Sequence, residues 1–190
     1  MKYLIVSDIH GSLPALDAVL HCYERERCDM LLLLGDILNY GPRNSLPEGL
    51  NPQTVADRLN AMAADIVAVR GNCDSEVDQM LLNFPILADY ACLADNGCRL
   101  FLTHGHLYNE QQLPTWKFDI MLCGHSHLPH ITPRPDGSIV ANTGSPTFPK
   151  GGNPPTFAIY EDRKLSLRLL DGSILQTHIL PSSPSVSTTL

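Results

Sequence analysis

The chain has 190 residues, of which 44% are hydrophobic, enough to form the core of one domain. Its formal charge of -7, with only 13 Lys and Arg residues, argues against an extended nucleic-acid surface, because such surfaces need clustered basic side chains. No segment approaches the ~18 consecutive apolar residues of a membrane span.

The cysteines and the first residues both indicate a cytoplasmic protein. Six cysteines are scattered along the chain without the paired spacing of a zinc knuckle, so we expect reduced thiols. The apolar run over residues 1–6 is too short for the hydrophobic region of a signal peptide, and Asp8 and His10 interrupt it.

The first half of the chain predicts alternating strands and helices. Apolar runs predict strands over residues 2–6, 30–34 and 66–69. A helix is predicted after each strand: one from the N-cap Ser12, and two more over residues 54–64 and 74–82. Three such repeats favour a parallel core.

The second half predicts mainly antiparallel strands. Asp95-Asn96-Gly97 and Asp136-Gly137 are typical of hairpin turns between short apolar runs. The paired strands are predicted over residues 90–94 and 99–103, 130–135 and 138–141, and 157–161 and 164–169, with a last strand over 174–180. Without an internal repeat or a break in pattern, residues 1–180 are predicted to form one domain, and 181–190 a flexible C-terminal tail.

Five short motifs carry residues that bind divalent metals, and each follows an apolar run that predicts a buried strand. They are Asp8-Ile9-His10, Gly35-Asp36, Gly71-Asn72, His104-Gly105-His106 and Gly124-His125-Ser126-His127. Strand ends converge at one edge of an α/β sheet, so these side chains should meet there. Singly, each has a structural explanation, such as a helix cap or a turn. Their joint occurrence indicates a binuclear metallohydrolase.

A pair of dications roughly 3.5 to 4 Å apart needs a bridging carboxylate, and Asp36 is the best candidate. Asp8, His10 and His127 would complete one site, and Asn72, His104 and His125 the other. The net charge of such a centre is about +1, because two carboxylates and a bridging hydroxide offset three of the four positive charges of the ions. A centre with this charge attracts phosphate. A ligand set of nitrogen and oxygen suits Mn, Fe, Co or Zn and disfavours a site for Mg alone or for Ca.

Four further residues are candidates for substrate contact or for support of the ligands. His106 is expected beside the site rather than on a metal, and Arg43 could reach a bound phosphate. Cys73 and Asp74 directly follow Asn72. Cys73 is expected to be a supporting residue rather than a nucleophile, since a two-metal site makes its own nucleophile from water. His21, His130 and His178 are expected to be surface or hydrogen-bonded residues.

The ligand series over residues 8–127 resembles the calcineurin-like metallophosphoesterases. The chain length, the stretch from Gly35 to Arg43, and Cys73 are most similar to the small bacterial YfcE-type phosphodiesterases. The resemblance implies an α/β fold: a four-layer αββα sandwich of two mixed sheets with helices on the outer faces. It also implies ester hydrolysis with two divalent metal ions, Mn first, and Fe, Co, Ni or Zn as alternatives.

Position 73 departs from the family pattern, in which Gly-Asn is usually followed by His. That histidine contacts the phosphate or assists the leaving group in the family, and a thiol of pKa ~8.5 cannot carry the same positive charge. A phosphomonoester carries nearly two negative charges and a phosphodiester carries one. The absence of a cationic histidine should therefore weaken the hydrolysis of monoesters more than that of diesters. The predicted function is therefore hydrolysis of a small phosphodiester by in-line attack of a metal-bridging hydroxide.

Two alternatives stay open: a phosphomonoesterase and a non-catalytic scaffold on the same fold. The His-x-His-x-Asp-His motif of β-lactamase-like enzymes is absent, and Asp8-Ile9-His10 does not fit the Asp-x-Asp pattern of aspartyl-phosphate phosphatases. The expected partner is a small phosphoester, without nucleic acid or membrane, and a homo-oligomer stays open. Specificity is expected in the loops over residues 38–52, 106–116 and 144–154.

Overall fold

The computed structural model describes residues 1–181, so the predicted tail over 181–190 lies, apart from Pro181, outside the described residues. Two mixed sheets form the fold. The strands are β1 (Lys2–Val6), β2 (Met30–Leu33), β3 (Ile66–Ala68), β4 (Tyr90–Asp95), β5 (Cys98–Thr103), β6 (Ile120–Cys123), β7 (His130–Pro133), β8 (Ile139–Asn142), β9 (Thr156–Glu161), β10 (Lys164–Leu169) and β11 (Ile174–Ile179).

The six-stranded sheet has the order β11-β10-β9-β1-β2-β3 and the five-stranded sheet the order β4-β5-β6-β8-β7. The predicted parallel core is confirmed in β1, β2 and β3. All three predicted antiparallel pairs are also present. The second half is less uniformly antiparallel than predicted, because β5, β6 and β8 pair in parallel, through connections too long for hairpins.

Residues 1–181 contain three α-helices: α1 (Leu13–Glu26), α2 (Pro52–Asn60) and α3 (Glu76–Gln79). The predicted N-cap of α1 is confirmed, since Ser12 Oγ accepts from the Ala15 N–H at 3.4 Å. α2 is shorter than predicted, and a 3₁₀ turn over Ala63–Asp65 follows it. α3 is also shorter than predicted at both ends. It begins after Asp74, because the Asp74 carboxylate accepts from three backbone N–H groups of the neighbouring loops.

The main core lies between the two sheets, where buried side chains from both halves of the chain pack together, among them Ile5, Leu32, Leu100, Leu122 and Ala158. The outer face of the six-stranded sheet packs against α1 and α2. The two mixed sheets of the predicted sandwich are therefore confirmed.

The outer layer over the five-stranded sheet is irregular. There Phe101, Met121 and Val140 pack under Tyr108 and Phe118, which belong to a segment over residues 104–119 without a helix. No helix among residues 1–181 is long and apolar enough to cross a membrane.

Candidate metal centre

Three buried histidines share one arrangement, in which ring Nδ1 lies within hydrogen-bond distance of a backbone carbonyl oxygen. The distances are 2.9 Å from His10 to Asn39, 2.8 Å from His104 to Leu34 and 2.7 Å from His127 to Phe148. Because a carbonyl can only accept, Nδ1 carries the proton of each neutral ring. Nε2 is then left with a lone pair, as in metal-ligating histidines.

The three Nε2 atoms converge on two buried carboxylates. Asp8 Oδ1 lies 3.1 Å from Nε2 of His127 and 3.5 Å from that of His10. Asp36 Oδ2 lies 3.6 Å from Nε2 of His104 and 3.8 Å from that of His10. Among the described residues, Asp8 Oδ1 and His10 Nε2 are buried atoms without a hydrogen-bond partner. The protein itself therefore leaves these two atoms of the centre unsatisfied.

Nitrogen lone pairs that face carboxylate oxygens need positive charge between them. Burial disfavours a charged Asp8, but His104, together with His10 and His127, holds the pKa of Asp8 well below its usual range. Burial likewise opposes charge on His10, yet the contact with Asp8 raises the pKa of that imidazole. Divalent cations satisfy the same atoms, since imidazole and carboxylate are their ordinary ligands. The donor set therefore fits a metal.

The second proposed ligand group lies around His104. Its Nε2 is 3.1 Å from Asn72 Oδ1 and 3.2 Å from His125 Nδ1. Atoms that each lie about 2.1 Å from one octahedral ion are about 3 Å apart, so this spacing suits ligands of a shared ion. The structure thus brings all seven sequence-predicted ligands to one place.

Asp36 lies between the two groups, but only one of its oxygens faces both. Oδ1 accepts from the Cys73 N–H at 2.8 Å, and Oδ2 faces His10 on one side and His104 on the other. Among the described residues, three sets of side chains lie close enough together to hold an ion: Asp8, His10 and His127; Asp8, Asp36 and His104; and His10, Asp36 and Cys73.

Asp74 supports the site from behind rather than lining it. The side chain is 3% exposed, and its oxygens accept from the N–H groups of Asp36, Ile37 and Gly71 at 2.7 to 2.9 Å. Burial raises the pKa of this carboxyl to about 6, against the effect of those hydrogen bonds. Asp74 thereby ties the loop after β2 to the loop after β3.

Glycines allow these loops to approach each other closely. A Cβ on Gly35 would collide with the backbone of Gly71, and a Cβ on Gly71 would collide with the Asp36 carboxylate. Both motifs therefore need glycine for the close approach of the two loops, and Gly35, with a φ of 95°, also needs it for its backbone conformation.

The other candidate residues lie at the edge of the site. Cys73 lines the cleft over the candidate metal centre. Burial, together with the negative charge of Asp36, raises the pKa of its thiol to about 12. His106 is half-buried beside His104, with ring centroids 5.4 Å apart, and burial lowers its pKa. Arg43 lies on the exposed rim, as does Lys150, which the sequence reasoning missed although it named the 144–154 loop.

A family model described as the calcineurin-like phosphoesterase superfamily domain matches residues 1–164. The chain belongs to this superfamily. The predicted resemblance is thus confirmed.

Two relatives extend this placement. Phosphodiesterase YfcE from Escherichia coli K12 is 49% identical over 178 residues, which are 92% of this chain and 96% of that protein. A solved structure of YfcE, a phosphoesterase from E. coli, aligns with a TM-score of 0.91 and 46% identity over 95% of this chain and 100% of the other.

A more distant structure, Vps29 from Entamoeba histolytica complexed with Zn²⁺, aligns with a TM-score of 0.59 and 20% identity. It covers 94% of this chain and 97% of that one. At this identity the likeness shows the fold alone.

Five of the seven candidate ligands of this calcineurin-like phosphoesterase have left-handed backbones. Their φ angles are 60° for Asp8, 53° for His10, 53° for Asp36, 65° for His125 and 60° for His127. For an L-residue this conformation costs about 1–2 kcal/mol, so it needs support from neighbouring contacts. Hydrogen bonds from Ser145 Oγ and Thr147 Oγ1 to the carbonyls of residues 8 and 9, each 2.8 Å long, supply such support.

We expect His125→Gly to be more stable than His125→Ala by about 1 kcal/mol, because only glycine adopts a positive φ without strain. The measurement is urea unfolding of both variants in the presence of a chelator. A matched pair at His21, inside α1, should give the opposite order, since glycine weakens a right-handed helix. Equal stability of the two variants at position 125 would show that no strain is stored there.

Proposed function

We propose that this calcineurin-like phosphoesterase is a metal-dependent phosphodiesterase that hydrolyses a small phosphodiester at a centre of two divalent ions. The observation that carries the proposal is the convergence of three Nε2 atoms on Asp8 and Asp36. Among the described residues, two of these converging atoms, Asp8 Oδ1 and His10 Nε2, are buried without a hydrogen-bond partner. The 49% identity to a protein named phosphodiesterase supports the reaction class.

In this proposal Asp36 would be shared by the two ions. Asp8, His10 and His127 would hold one of them, and Asn72, His104 and His125 the other. Two ions bound there would supply a hydroxide at neutral pH and stabilise the charge that develops on phosphate. The histidine carbonyl contacts and the Asp74 hydrogen bonds hold the ligands in place. Mn is the first expectation for the metal, with Fe, Co, Ni or Zn as alternatives.

The cleft over this centre suits a small anionic substrate. It has a volume of about 790 Å³, within the usual range of ligand pockets. Asn39, Asn44 and Ser126 line it with hydrogen-bonding groups, and Arg43 and Lys150 bring positive charge to its rim. These two cations would attract the phosphodiester and orient its non-bridging oxygens.

We further propose that residues 1–180 work as a single domain, because the candidate ligands come from both sheets. We also propose that the protein is cytoplasmic. All six cysteines are free, which agrees with a reducing compartment. A non-catalytic scaffold is the weaker alternative, since no predicted ligand is displaced from the cluster.

Asp36→Asn should lower diesterase turnover with Mn²⁺ at least about a thousandfold, because the bridge loses its charge and the two ions repel each other without it. Steady-state kinetics on bis(p-nitrophenyl) phosphate, with chelated and Mn²⁺-restored wild type alongside, measures this. Asp17→Asn, an exposed carboxylate on α1, is the matched control and should keep full activity. Normal turnover in Asp36→Asn, or in the chelated wild type, would refute the metal mechanism.

Cys73→His should raise the ratio of monoesterase to diesterase kcat/KM at least about tenfold, because an imidazole can contact the second charge of a monoester and assist its leaving group. Both activities are measured with p-nitrophenyl phosphate and its bis ester. Cys73→Ala removes the thiol without adding an imidazole and should leave the ratio near that of the wild type. An unchanged ratio in Cys73→His would count against this role for position 73.

A further inference from the structure

A second cleft lies at the other end of the five-stranded sheet, where β5, β6 and β8 begin rather than end. Its volume is about 530 Å³, within the range of small-molecule sites. Asp119 and Ser138, which precede β6 and β8, line its floor, and Trp116 and Lys117 of the irregular outer segment form one wall. The cleft shares no lining residue with the candidate metal centre.

The charge of this cleft is opposite to that of the chain. Its lining residues include four basic side chains and two acidic ones, so their sum is +2, whereas the whole chain carries -7. The basic residues are Arg99, Lys117, Arg134 and Arg163. A local concentration of cations in a concave site on an acidic protein attracts anions.

Arg134 has a side-chain nitrogen that the described protein leaves without a hydrogen bond. Among the described residues, its Nε is buried and has no hydrogen-bond partner. The nearest carboxylate oxygen, Asp136 Oδ1, is 3.7 Å away and already accepts from the N–H and the hydroxyl of Ser138 at 3.0 and 2.6 Å. A buried guanidinium N–H without an acceptor is costly, so a ligand oxygen there would be stabilising.

Trp116 gives the cleft an aromatic surface. It is the only tryptophan of the chain. The residue is 38% exposed, and the centroid of its ring lies 6.2 Å from that of the Phe101 ring. A partly exposed indole that lines a cleft can stack with a planar ligand group.

We propose that this second cleft binds a mononucleotide, with the phosphate at Arg134 and Lys117 and the base stacked on Trp116. A ligand without a planar group would leave the indole unused, and a ligand without an anion would leave Arg134 Nε without a hydrogen-bond acceptor. Mononucleotides carry both groups within the size of the cleft.

The single tryptophan permits a direct test by intrinsic fluorescence. The Mn²⁺-loaded chain is titrated with AMP, ribose 5-phosphate and inorganic phosphate, with free tryptophan amide as the control for light absorption by the nucleotide. AMP should quench Trp116 saturably and bind at least about tenfold more tightly than either of the other probes, because stacking adds to the ionic contact.

Arg134→Gln should weaken AMP binding about tenfold while diesterase turnover stays at the wild-type level, which excludes misfolding. The matched control is Arg58→Gln. Arg58 lies on α2, outside the second cleft, and its Nε is 3.8 Å from Asp17 Oδ1, a distance similar to that between Arg134 and Asp136. It should leave AMP binding unchanged. The proposal is overturned by the absence of saturable quenching, by equal affinity for AMP and phosphate, or by equal effects of the two substitutions.

Discussion

The candidate metal centre depends on how three imidazoles are held. Backbone carbonyls of residues 34, 39 and 148 fix the Nδ1 proton of His104, His10 and His127, so each neutral ring presents its Nε2 lone pair to Asp8 and Asp36. Those nitrogen and oxygen atoms are buried and too close to one another to be stable without positive charge between them. The surrounding loops are built to keep this cluster in place.

Several features that would weaken an ordinary fold are explained by this requirement. Left-handed ligand residues, glycines in backbone contact and the buried carboxylate of Asp74 all lie within the loops after β1, β2, β3 and β6. Each costs stability locally, and the core between the two sheets offsets the cost. The apolar strands thus supply stability and the strained loops supply the candidate ligands. This division of roles is what the proposed hydrolysis requires.

The sequence predicted what depends on local pattern. Apolar runs located the strands, and Asn96-Gly97 located a hairpin. The joint occurrence of five motifs predicted candidate ligands, and the fold brings these side chains together. The sequence named Asp74 among the candidates for substrate contact or support of the ligands. It did not predict the parallel pairing of β5, β6 and β8 or Lys150 at the rim. These depend on which distant segments become neighbours, and no local spacing encodes that. The second cleft was missed for the same reason.

The central claim is that two ions share Asp36, and anomalous diffraction from crystals grown with Mn²⁺ tests it most directly. The account predicts two peaks roughly 3.5 to 4 Å apart, one on each side of Asp36 Oδ2, with Asp8, His10 and His127 around one and Asn72, His104 and His125 around the other. A single peak, or two peaks that do not share Asp36, would contradict it.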